Sequence, residues 1–281
     1  MKKTLSKKNK IILITALTLF VIAVTLLWTW FAYIYVNKHH SSNYAGGSQG
    51  TRVIAHRGHS EAYYDNTEQA FAFAAQKGFF SGLETDIWAT KDGVFVCSHD
   101  VNPFVDKGVK ITEKTYDEIK DLPLDVTNGQ PNIDKTIDYR ICTYEKYLEI
   151  VKSSKKIALI EIKGKNVGTE NLRPAIKLAL DTLGRNGVFF GSFDLKNVQS
   201  VHEIAPSAKT LLFTSSSFLA YTYDKMGYNV GANKKIVTEK IVKRAHDNGH
   251  LFFSYTVNSA KDYEKLLGTK LDFIISNVCI D

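Results

Sequence analysis

Two acidic residues two positions apart, Glu84 and Asp86, stand in the stretch "GLETDIW" among apolar and β-branched neighbours. Side chains alternate along a strand, so both carboxylates share one face while Leu83, Thr85 and Ile87 take the other. With the second set against helices, the carboxylates point inward, where unpaired charge is costly. A divalent cation removes that cost, and oxygen donors suit Mg²⁺ or Ca²⁺. The stretch "IALIEIKGK" repeats the pattern, with Glu161 and Lys163 two apart at the end of an apolar run. Glu161 offers a third oxygen ligand, and Lys163, nearer the rim, offers a cation to an anion. Alone, those two also read as a self-satisfying pair.

Two histidines end similar runs: His56 closes "RVIAH" and His99 follows "VFVCS". Such residues at strand ends are candidates for general acid and base. Each alone is more often structural, but together they stand beside three carboxylates and two cations at equivalent strand ends. Three carboxylates around one divalent ion leave about one negative charge, and Arg57 with Lys163 restores a positive field. A phosphodiester fits this arrangement, because an Arg fork engages its oxygens and a metal polarises one of them. His59 lies past the strand and is set aside.

These residues need strands to deliver them. Strand patterns fall at Arg52–His56, Gly82–Trp88, Val94–Ser98, Ile157–Ile162, Val188–Ser192, Lys209–Thr214, Tyr228–Gly231, Leu251–Thr256 and Asp272–Ser276. Amphipathic stretches lie between them. "NTEQAFAFAAQKG" has an N-cap candidate at Asn66, and "TYEKYLEIVKSS", "TENLRPAIKLALDTLG", "TEKIVKRAHDNG" and "SAKDYEKLLG" are further helices. The alternation predicts an α/β fold with a parallel sheet, closed as a (β/α)8 barrel over residues 51–281. An open doubly wound sheet is the alternative. Residues 101–140 break the rhythm and read as an insertion above the strand that ends in His99, where barrels place lids and substrate walls.

Ahead of the barrel, "IILITALTLFVIAVTLLWTWFAYIYVN" carries no charge. Residues 11–36 are long enough to cross a bilayer, and aromatic residues gather at their C-terminal end. A signal peptide is the competing reading, but its apolar region is usually shorter and ends at a small-residue cleavage site. Five lysines within residues 1–10 place the N-terminus in the cytoplasm and the barrel outside, beyond a tether at 37–50. A composition of 44% hydrophobic and 23% charged residues argues against disorder. The net charge of +7 owes much to those lysines, and no nucleic-acid-binding motif appears. Cys97, Cys142 and Cys279 are widely spaced and form no zinc pattern; they read as buried thiols.

"AHRG", "DNT", "GLETDIWATKDGVFVCSHD" and "IEIKG", in this order, resemble the glycerophosphodiester phosphodiesterase family, with looser blocks at "GSFD", "HDNGHLFFSYTVN" and "DFIISN". The resemblance spans about Arg52 to Asn277. It implies a TIM barrel and a divalent-metal hydrolase that releases glycerol phosphate and an alcohol. His56 and His99 correspond to the acid/base pair, Glu84, Asp86 and Glu161 to metal ligands, and Arg57 and Lys163 to phosphate contacts. Water or a neighbouring substrate hydroxyl could be the nucleophile. Three departures stand out: Asp65 where the family has Glu, Tyr255 where Trp is common, and Ser276–Asn277 where Thr-Asp is common. Lipid head groups or glycerol-phosphate wall polymers are the expected substrates. A phospholipase D-like lysolipid or sphingolipid enzyme that forms a cyclic phosphate, and a non-catalytic surface binder, are the alternatives.

Overall fold

The computed structural model describes residues 7–36, 50–129 and 132–280. The first six residues of the expected cytoplasmic segment and positions 37–49 of the expected tether lie outside the described residues.

The chain opens with helix α1 (Lys7–Val36). The barrel follows as β1 (Arg52–Ala55), α2 (Glu68–Gln76), β2 (Gly82–Ala89), β3 (Phe95–Cys97), α3 (Tyr116–Ile119), β4 (Cys142–Thr143), α4 (Tyr144–Ser154), β5 (Ile157–Ile162) and α5 (Thr169–Leu183). Then come β6 (Val188–Ser192), α6 (Leu195–Ile204), β7 (Lys209–Thr214), α7 (Ser217–Lys225), β8 (Asn229–Asn233), α8 (Glu239–Asp247), β9 (Phe252–Tyr255), α9 (Ala260–Leu267) and β10 (Phe273–Ser276).

Eight strands form a closed parallel ring in the order β1, β2, β5, β6, β7, β8, β9, β10. β1 closes it by pairing with β10 on one side and β2 on the other. The fold is therefore the closed barrel, and the open sheet is excluded. The strand pattern at Val94–Ser98 proves to lie outside the ring. β3 turns back antiparallel on the end of β2 and pairs with the two-residue β4. Asp92 and Gly93, the latter at φ 82°, make the reversal: the five residues between β2 and β3 are too few for the crossover that a parallel neighbour needs.

Two apolar layers hold the ring. Leu83, Ile87, Ala158, Ile160, Val188 and Phe190 face outward onto the helices. Ile54, Leu159, Phe189, Leu211, Phe253 and Phe273 fill the interior, where Phe253 stacks on Phe273 at 4.5 Å between ring centroids. A third cluster, including Val96, Phe104, Ile111, Ile119, Leu124 and Tyr139, gives residues 101–140 a small core of their own above β2 and β3.

Among the described residues, α1 is the one helix long and apolar enough to cross a membrane, a test that a signal sequence also passes. It is exposed from Lys7 to Thr29 and first meets the barrel at Trp30. Trp30 Nε1 donates to Thr222 Oγ1 on α7 at 3.2 Å.

Candidate active site

The turn after β1 sets the first three polar groups. Arg57 and Gly58 take φ of 57° and 77°. A Cβ on Gly58 would run into the backbone of Ala70 in α2, so this close turn requires glycine. The turn aims the Arg57 N–H at Glu84 Oε2, 2.7 Å away. The Arg57 guanidinium then bridges two acids. Its Nη1 donates to Asp65 Oδ2 at 2.8 Å, and its Nε lies 3.2 Å from Asp86 Oδ2. The family-unlike Asp65 is therefore the outer partner that fixes Arg57.

Strand register supplies the rest. β2 and β5 pair with Asp86 beside Glu161, so adjacent inward positions carry both carboxylates. Glu84, one inward position earlier on β2, completes the group. One oxygen from each of Glu84, Asp86 and Glu161 lies within 4.8 Å of the others. Lys163 Nζ donates to Glu161 Oε1 at 3.0 Å and lies 3.4 Å from Asp86 Oδ1.

Three acids, Glu84 and Asp86 buried and Glu161 nearly so, against two cations leave a negative excess that adds to the effect of burial on their proton affinities. Burial, then the charges of Asp86 and Glu161, push Glu84 well above the usual range. Burial and Asp86 raise Glu161 to about 7. Burial also acts upward on Asp86, but Arg57 and Lys163 outweigh it and hold this carboxyl below its ordinary value. Two carboxyls driven toward protonation by burial and by their neighbours' negative charge, with three oxygen donors converging, fit a hard divalent cation.

Asn66 is not the cap of α2. Thr67 caps the helix by accepting from the Ala70 N–H. Asn66, at φ 56°, instead turns its amide inward: Nδ2 donates to Asp86 Oδ2 at 3.0 Å and Oδ1 accepts from Thr85 Oγ1 at 2.8 Å. The left-handed backbone, which Asn tolerates, takes it out of cap geometry.

The two histidines differ in setting. His56 Nδ1 lies 2.6 Å from Asn277 Oδ1. An amide oxygen only accepts, so Nδ1 carries the proton and Nε2 keeps its lone pair. Burial and the nearby Arg57 lower His56 to about 3, which makes it neutral at ordinary pH. His99 is half-exposed on the segment after β3, and its Nδ1 lies 2.8 Å from Asp100 Oδ1. His59 is buried edge-on between Phe73 and Phe80.

His56, Arg57, Glu84, His99, Glu161 and Lys163 all line one cavity of about 380 Å³. Asp86 lies beneath them, 1% exposed. The structure thus brings together all seven residues singled out from sequence. The opposite wall is aromatic: Phe193, Phe213 and Tyr255 have ring centroids 5.3–5.9 Å apart. Gly191 and Gly231 leave room for the Phe213 ring. Neither Phe193 nor Phe213 is legible as a site residue in the sequence, because each lies at a different strand end and no local pattern joins them.

Comparisons with known proteins agree with this architecture. The sequence model of the Glycerophosphoryl diester phosphodiesterase family matches residues 56–279. A glycerophosphodiester phosphodiesterase of Caldanaerobacter subterraneus is 27% identical over 242 residues, covering 81% of this chain and 94% of the relative. Among solved structures, a glycerophosphodiester phosphodiesterase of Parabacteroides distasonis superposes with a TM-score of 0.64 at 25% identity, over 82% of this chain and 94% of that one. An Oleispira antarctica phosphodiesterase in complex with its product sn-glycerol-3-phosphate has the same fold, with a TM-score of 0.66 at 20% identity, over 81% of this chain and 93% of that one. With the family match covering most of the barrel and every polar strand end in place, this chain belongs to the glycerophosphoryl diester phosphodiesterase family and is by class a phosphoric diester hydrolase.

Proposed function

We propose that the protein hydrolyses glycerophosphodiesters to glycerol phosphate and an alcohol, using one divalent cation and two histidines. The observation that carries this reading is the meeting of Glu84, Asp86 and Glu161 within 4.8 Å, in a cavity also lined by two histidines and two cations. Glu84, Asp86 and Glu161 hold the ion, Mg²⁺ or Ca²⁺, which when bound supplies Lewis-acid polarisation of a phosphate oxygen.

Arg57 and Lys163 hold the remaining phosphate charge, relieved of part of their pairing to the acids once the cluster is neutralised. His56, neutral and with a lone pair on Nε2, takes the proton from the attacking hydroxyl. His99 gives a proton to the alcohol oxygen as its bond to phosphorus breaks. The phosphorus gains the nucleophile oxygen, and the protons on the two histidines exchange with solvent to restore the starting state. Asn277 and Asp100 hold the two rings through their Nδ1 atoms. The same groups serve attack by water or by a neighbouring substrate hydroxyl.

α1 is read as a membrane span with its N-terminus in the cytoplasm, which places the barrel outside the membrane. The product complex of the Oleispira antarctica relative supports glycerol phosphate as the retained group.

The test is release of glycerol phosphate from glycerophosphocholine by the full chain, with and without chelator. His56→Ala and His99→Ala are each expected to lower turnover by roughly 10²–10⁴. Full activity in excess chelator, or near-normal rates in both variants, would contradict the assignment.

A further inference from the structure

Cys97, Cys142 and Cys279 lie far apart in the chain, and the proposed chemistry uses none of them. The fold nevertheless sets two of them face to face. In the antiparallel pairing of β3 with β4, Cys97 stands directly opposite Cys142. Opposed residues share one face of a sheet and have Cα atoms about 4.5–5.5 Å apart. Disulfides span about 4.4–6.8 Å between Cα atoms, so this pair can be joined without moving the backbone. Both side chains are buried, 2% and 5% exposed, in the same outer apolar layer. Both are free thiols here, so the structure describes the reduced pair. Cys279 lies past the end of β10, outside any strand pair.

The pair stands where a crosslink has most to hold. Residues 101–140 leave the barrel after β3 and return at β4. Val96 with Thr143 and Cys97 with Cys142 make up the whole ladder at that base. Above it the insertion has its own small core, built on Phe104, Ile111, Ile119 and Tyr139. His99 leaves the same strand just after Cys97 and lines the catalytic cavity. A bond at this base closes a long loop, which removes more freedom from the unfolded chain than a short loop does. It also pins the segment that delivers His99.

We propose that Cys97 and Cys142 form a disulfide that braces the base of the insertion. The proposal rests on reading α1 as a membrane span with the barrel outside, where disulfides form and persist. The oxidant is an organic disulfide, R–S–S–R. One cysteine sulfur attacks it, breaks its S–S bond and releases one R–SH. The second cysteine sulfur attacks the resulting mixed disulfide and releases the other R–SH. The two cysteines lose two electrons and two protons, and the oxidant gains both. Burial of the two sulfurs confines this exchange to a chain whose insertion is still open, and it shields the finished bond from reductants.

The test uses the full chain, produced with its anchor in a bacterial host that oxidises thiols outside its membrane. The extracted protein is denatured and treated with N-ethylmaleimide before and after reduction. One maleimide per chain, on Cys279, is expected before reduction and three after it, with a digest that yields the Cys97 and Cys142 peptides joined. The Tm of the oxidised chain should exceed that of the reduced chain by roughly 5–15 °C. Three maleimides without reduction, or a bond through Cys279, overturns the proposal, and a bond that leaves Tm unchanged overturns the bracing role. If the bond fails to form in the host, the reduced chain is exposed to oxidised glutathione in mild urea. A Cys97–Cys142 bond formed there traces the failure to the location of the barrel, and none traces it to the pair itself.

Discussion

His56 Nδ1 and Asn277 Oδ1 lie 2.6 Å apart, joining the first strand end of the barrel to the last. The contact fixes which ring nitrogen carries the proton. Asn277→Ala removes the acceptor, and turnover is expected to fall roughly 10–100-fold, the usual range for partners that orient a working group. Asn277→Asp keeps an acceptor but adds a negative charge, which raises the His56 pKa from its lowered value near 3. A base must be unprotonated to act, so the acidic limb of kcat/KM should move to higher pH. A pH–rate profile with an unmoved limb in Asn277→Asp, and full turnover in Asn277→Ala, would remove Asn277 from the site.

Asn66 holds Asp86 from below at 3.0 Å while Thr85 holds Asn66. Asn66→Ala therefore leaves Asp86 Oδ2 to Arg57 alone and leaves the buried Thr85 hydroxyl only its long 3.4 Å contact to the Asp86 carbonyl. Affinity for the divalent ion is expected to weaken about 10–100-fold. Titration of activity with Mg²⁺ or Ca²⁺ measures it. Unchanged half-saturation would mean that Arg57 and Lys163 alone orient Asp86.

Much of this site is legible in the sequence because strand alternation is a local rule. Glu84 and Asp86 two apart, then Glu161 and Lys163 two apart, fix a shared face whatever the rest of the chain does. The register that sets Asp86 beside Glu161 is a relation between distant segments, and so are the Asn277 contact and the aromatic wall. The periodicity singles out neither α6 nor α7. In α7, "SFLAYTYDK" mixes aromatic and β-branched residues that favour strands as much as helices. The signals it does carry are N-caps, Asp194 for α6 and Ser216 for α7. Asn66 shows the opposite failure: a cap residue by type, it takes a left-handed backbone and serves the site, while its neighbour Thr67 caps the helix.

Phe213 forms part of the cavity wall only because its ring lies where side chains at Gly191 and Gly231 would be. Gly191→Ala places a Cβ against that ring. Overpacking of this kind costs about 1–3 kcal/mol, and the ring's displacement into the cavity should raise KM more than it lowers kcat. Thermal melting and steady-state kinetics on the same variant check both. A variant with wild-type KM and lowered stability would show that the ring moves away from the cavity instead.

The carboxylate cluster links stability, pH and metal. Glu161 is raised from its usual 4.5 to about 7. A carboxyl whose pKa is higher in the folded state binds its proton more tightly there, so its contribution is fully present below about pH 4.5 and is lost as pH rises through 7. His56, lowered to about 3, acts in the opposite sense, since its neutral form is favoured by folding and stability is lost as pH falls below its usual 6.5. The bare pH profile of the metal-free chain mixes the two, and comparison with Glu161→Gln separates them. In chelator, Glu161→Gln should gain stability relative to the unaltered chain as pH rises from 4.5 to 8, because the variant has no proton to lose. Saturating Mg²⁺ or Ca²⁺ should reverse the order at pH 8, because the ion needs the ionised carboxylate and binds only a fully charged cluster well. The ion-induced rise in Tm of the unaltered chain should therefore grow between pH 5 and pH 8, and Glu161→Gln should lose most of that rise. A rise in Tm independent of pH, or equal in the two chains, would place the ion elsewhere.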